Sequence, residues 1–65
     1  MHPATEAILA HFQYEHLPPN LQAVSAPICE LAHMFANDPN LDGAELTAGL
    51  RKLLEAKDCL VRAAL

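Results

Sequence analysis

The stretch "HFQYEHLPP", residues 11 to 19, sets two aromatics, Phe12 and Tyr14, beside His16 and a double proline, Pro18 and Pro19. An aromatic plane on a stiff backbone is the chemistry of stacking, because every nucleobase offers a π-face and an exposed tyrosine is a good partner. The same residues also suit a hydrophobic staple, in which Phe12 or Tyr14 packs across the mouth of the next helix. The second chemistry-bearing set is cationic. All 4 basic residues, Arg51, Lys52, Lys57 and Arg62, fall in the last part of the chain. With a formal net charge of −4, the chain lacks the surplus of Lys and Arg that general DNA or RNA binding requires. An anionic ligand would have to be small and met by a local cluster of cations.

Lys57 breaks the pattern around it. On a helical wheel it falls in the middle of an apolar face, flanked by Leu50, Leu53, Leu54, Leu60 and Val61. A lysine there must snorkel to the edge, pair with a carboxylate, or meet an anionic ligand. Arg51–Glu55 and Asp58–Arg62 are i,i+4 pairs that suit a solvated, salt-bridged face. Cys29 and His33 share one helical face, but two ligands do not make a zinc site, so no metal is expected. No Gly-rich phosphate loop, HExxH or contextual Ser/His/Asp set is present, which argues against an enzyme. Ser25, inside a helical pattern, reads as a hydroxyl bonded back to its own helix and not as a nucleophile.

These groups are carried by helices. The first is predicted from Pro3 to Phe12, with proline at the first position, where its missing N–H loses nothing. The second starts near Pro18 and Pro19. Leu21, Val24, Ile28, Leu31 and Phe35 follow at alternating spacings of 3 and 4, a coiled-coil seam, with a kink expected at Pro27. "NDPNLDG" ends it. The third starts at Asp42, whose carboxylate is expected to form a capping box with Glu45, and runs to Ala64. The reading is an all-α single domain over residues 1–65: a short N-terminal helix followed by an antiparallel helical hairpin.

The third helix carries two apolar stripes. Leu46, Leu50, Leu53, Leu60 and Ala64 form one, which packs on the second helix; Leu54, Val61 and Leu65 form another, free for a second chain. A chain of 65 residues buries a marginal core, so the surplus predicts a homo-oligomer. Cys29 and Cys59 are too few for a disulfide framework and read as structural thiols. The N-terminus lacks a basic n-region, and no run approaches the ~20 apolar residues of a membrane span, so a soluble, cytosolic protein is expected.

The run aromatic-x-Tyr, then His and Pro-Pro, then a helix ending in "ELA", then "LRKLLEAKDCLVRA", resembles the small helical-hairpin sponge proteins of bacteriophages. These anti-CBASS proteins sequester the cyclic oligonucleotide signals of bacterial defence. The resemblance spans roughly residues 12 to 64. It implies symmetric oligomers, typically hexamers, in the cytoplasm of the infected host, with cyclic dinucleotides held between protomers. Some members hold cyclic trinucleotides at a separate site, and related hairpins hold cyclic ADP-ribose-type signals. Carried over, Tyr14 matches the stacking tyrosine, His16, Pro18 and Pro19 match the elbow, and Arg51 or Lys52 and Arg62 match basic positions of the last helix. The family often places a basic residue on its first long helix, whereas residues 18–36 hold no Lys or Arg here. Either the third helix of a neighbouring chain supplies the cation, with Lys57 the candidate and His16 a further donor, or this member's ligand differs. The resemblance therefore implies a sponge without cofactor or turnover; the competing reading is a helical adaptor whose spare leucines bind a partner protein.

Overall fold

The computed structural model describes all residues from Met1 to Leu65 and is all-helical, with no strand. Helix α1 spans Pro3–Leu9 and tightens into a 3₁₀ turn, η1, over Ala10–Phe12. Helix α2 spans Pro19–Ala36 and α3 spans Gly43–Ala63. Pro3 and Pro19 each open their helix, where the ring's fixed φ is already helical. His2 caps α1: its Nδ1 accepts from the Ala4 N–H at 3.0 Å.

The core forms where α1 and η1 lie against both long helices. Ile8, Leu9, Phe12, Cys29, Ala32 and Leu50 are its buried members, and Phe12 is 0 % exposed. The bulk comes from α1 and η1, so α2 must offer room. It does so with small side chains: Leu21, Ser25, Cys29 and Ala32 are its buried residues. The predicted seam is therefore corrected. Leu21 holds, Val24 and Ile28 are only half-buried, and Leu31 and Phe35 remain 38 % and 37 % exposed. At 100° per residue the true inward face is turned by roughly 75° from the bulkiest stripe. Hydrophobicity alone points to the bulky face; close packing of Phe12 selects the small one.

Helix α3 keeps most of its predicted inner stripe: Leu50 is buried, Leu46, Leu53 and Ala64 are half-buried, and Leu46 and Leu53 pack on the core. The inward face is wider than that stripe, because Leu54, Lys57 and Val61 are half-buried beside it. Leu54 and Val61 are thus not spare, while Leu60 and Leu65 are exposed. The capping box also fails to form. Asp42 occupies the cap position but makes no side-chain cap hydrogen bond. The backbone is extended there and Gly43 follows with φ of 75°, in the left-handed region that glycine enters without strain, so the chain turns into the helix by another route. Pro27 lies on the exposed side of α2, and the helix continues through it as one element. No helix is long and apolar enough to cross a membrane.

Candidate anion-binding site

The elbow between η1 and α2 is tied down by the backbone. Leu17 N–H donates to the Tyr14 carbonyl at 3.0 Å, closing a tight turn. From the first turn of α2, the Gln22 amide reaches back and donates to the carbonyls of Leu17 at 2.8 Å and Glu15 at 3.3 Å. The prolines start the helix; Gln22 latches the loop to it. This turn brings His11 and His16 to the same side.

Across from them stands Lys57, whose side chain is 12 % exposed. Its Nζ donates to the His11 carbonyl at 2.8 Å, an acceptor left free where the 3₁₀ turn ends. The same ammonium sits 3.3 Å from an Asp58 carboxylate oxygen and 6.0 Å from the centre of the Phe12 ring, the outer limit of a cation–π contact. Of the three fates open to a lysine on an apolar face, pairing is realised, and it is supplied chiefly by a backbone carbonyl. The ammonium thereby clamps η1 to α3.

Beside this clamp opens a cavity of about 390 Å³ lined by Ala10, His11, Gln13, His16, Leu17, Ser25, Lys57, Asp58, Val61 and Arg62. Neither predicted i,i+4 ion pair closes: Lys57–Asp58 is the one ion pair within 4.0 Å. The Arg62 guanidinium instead donates to the Cys59 sulfur at 3.4 Å, so it carries an uncompensated charge to the cavity wall. Two cations face one carboxylate here, on a chain of net charge −4. The imidazoles of His11 and His16 add ring nitrogens to the same wall. Such a set can hold a phosphate through charge-assisted hydrogen bonds.

Of the residues nominated by sequence, the cavity gathers His16, Lys57 and Arg62. Tyr14 lies outside its lining, half-buried and packed against the core cluster, with the rest of its surface open. Pro18 and Pro19 are exposed at the start of α2. Arg51 and Lys52 point elsewhere; both are exposed, and Lys52 lines a separate groove with Phe35, Leu41, Leu46 and Leu53. His11, Gln13 and Ser25 were not nominated. His11 carries a signal only through its closeness to the elbow, and Ser25 only through being a hydroxyl among apolar neighbours.

Ser25 also corrects an expectation. Its residue is 0 % exposed, yet its Oγ has no hydrogen-bond partner, so it is not bonded back to its own helix. A buried polar group left unpaired costs roughly 1–3 kcal/mol. Cys29, by contrast, behaves as a core thiol: burial first, then Glu15 and Glu30, push its pKa up, partly offset by Lys57. It therefore stays protonated near neutral pH and unreactive. Compared with family models, curated proteins and solved structures, the chain matches none.

Proposed function

We propose that this protein captures a cyclic oligonucleotide second messenger and holds it intact, acting as a phage anti-defence sponge. The observation that carries the reading is the cavity in which His11, His16, Lys57 and Arg62 meet on an otherwise acidic chain. Its volume lies near the lower end of the roughly 300–1,000 Å³ typical of small-molecule pockets. That suits one phosphate with part of its nucleotide. A cyclic dinucleotide carries two phosphates about an approximate two-fold axis, so a two-fold-related copy supplies the other half. Helices α2 and α3 act in this arrangement as an antiparallel hairpin, with Tyr14 at its rim stacking on a base.

The assembly itself is open to a direct test. Leu31, Met34, Phe35, Leu41 and Leu60 are large apolar side chains left on the surface. Covering them in a symmetric interface contributes roughly 1.5–3 kcal/mol for each one fully buried. Light scattering on a size-exclusion column is expected to give a mass well above the 7.1 kDa of one chain, a hexamer being the family's usual state. A monomer at micromolar concentration would remove the shared pocket.

Ligand capture is tested by calorimetric titration with cyclic di- and trinucleotides, followed by heat denaturation and chromatography of the released ligand. Unmodified ligand is expected. Base stacking is worth roughly 1–3 kcal/mol per base, so Tyr14→Ala should weaken binding at least about tenfold. Tyr14→Phe, which keeps the ring on the core cluster, should retain binding. Linearised product would make the protein an enzyme. No retention of any cyclic nucleotide would favour the adaptor reading, for which the apolar groove of about 630 Å³ beside Phe35 and Leu53 is the docking surface.

A further inference from the structure

At position 25 the fold asks for a small residue, and it does not ask for a polar one. Ser25 belongs to the stripe of small side chains, with Cys29 and Ala32, that lets Phe12 seat against α2. Alanine would serve that packing equally well without burying an unpaired hydroxyl. The hydroxyl is closed to solvent, its oxygen has no partner in the protein, and Ser25 is one of the residues lining the cation-bearing cavity. Lys57 and Arg62 line the same cavity.

We propose that Ser25 is a ligand-reading residue at the floor of this cavity, donating its hydroxyl hydrogen to a non-bridging phosphate oxygen. The inference rests on the ligand-binding reading above and adds to it a residue that neither charge nor family resemblance nominates. A hydroxyl donates one short hydrogen bond to an anionic oxygen and brings no charge of its own. Lys57 and Arg62 then attract the phosphate, while Ser25 fixes where it sits. The role also gives a reason for leaving the hydroxyl unpaired in the unliganded chain: a serine bonded to its own helix would have to break that bond before binding.

The test compares wild type with Ser25→Ala, and with Ser25→Cys as a near-isosteric variant whose thiol is a weak donor. The probes are the cyclic dinucleotides of adenosine and guanosine, with inorganic phosphate as competitor, and thermal unfolding is followed on the same samples without ligand. Ser25→Ala is expected to melt at the wild-type temperature or above it, because it deletes an unpaired polar atom and keeps the packing. Its affinity is expected to fall about tenfold, the loss of one hydrogen bond to a charged oxygen, with Ser25→Cys falling by a similar factor. Equal affinity in a folded Ser25→Ala protein would overturn the inference while leaving the pocket intact, whether or not stability moved. If wild type retains none of the probes, the ligand-binding reading falls and Ser25's role falls with it.

Discussion

Phe12→Ala is expected to remove about 3–5 kcal/mol of stability, the usual cost of deleting a buried aromatic from a core. Phe12 is 0 % exposed and joins α1, α2 and α3 through Leu9, Cys29, Ala32 and Leu50. Folded domains are stable by only about 0.05–0.15 kcal/mol per residue, which for 65 residues is roughly 3–10 kcal/mol. The substitution therefore takes most of the margin. Circular dichroism during urea or thermal unfolding should show a chain that is largely unfolded at room temperature, or that melts far below wild type. The consequence reaches the site, because η1 carries His11 and its carbonyl to Lys57. Ligand capture should vanish with the fold. A loss below about 1 kcal/mol would mean that α1 and η1 are peripheral and that the long helices hold together without them.

The helices were legible because their punctuation is local. Proline at a first helical position, a turn cluster at 37–42 and apolar residues at steps of 3 and 4 each act within one turn of chain, and the observed α1, α2 and α3 follow them closely. Rotation about the helix axis was not legible in the same way. Which face of α2 turns inward depends on what α1 brings to it, and α1 brings Phe12. The small stripe at Ser25, Cys29 and Ala32 makes sense only once that partner is in place. The cap at Asp42 was misread for a related reason: the carboxylate is present, but Gly43 sets the backbone direction, and a glycine's left-handed φ is one of several conformations open to it.

The site divides along the same line. Lys57 announced itself because a charge on an apolar face needs a partner wherever the helix ends up. Its main partner, the carbonyl of His11, lies 46 positions away and is a backbone atom, which no side-chain pattern encodes. Arg62 and His16 were reachable as a cation and an elbow residue. Their meeting in one cavity depends on the tight turn closed between Tyr14 and Leu17 and on the latch from Gln22. Ser25 was visible as a residue, but its bonding was misread, because the default for a helical serine is to bond its own helix.

Lys57→Met is expected to act on both stability and binding, because one ammonium serves the fold and the cavity. Methionine replaces the aliphatic stem without leaving a void, so packing against Phe12 is kept. What disappears is the hydrogen bond to the His11 carbonyl, with Asp58 losing its neighbour. A hydrogen bond from a charged group contributes about 1.5–3 kcal/mol, and a pair with a half-exposed carboxylate adds little. For a domain of this size each kcal/mol moves the melting temperature by roughly 4–8 °C, which thermal unfolding of the unliganded protein resolves readily. Affinity for a cyclic dinucleotide should fall about tenfold or more as well, the equivalent of about 1.4 kcal/mol. Raising salt should weaken wild type more than the variant, since a cation–phosphate contact is screened and a methionine has none to lose. The two readouts separate the roles. A lower melting temperature with unchanged affinity would make Lys57 purely a clamp between η1 and α3, and Arg62 with the histidines would then carry the phosphate. Lower affinity at an unchanged melting temperature would mean that the His11 carbonyl finds another donor. If both fall, the same charge that holds the elbow against α3 also attracts the ligand, and binding must loosen or share the contact that shapes the pocket.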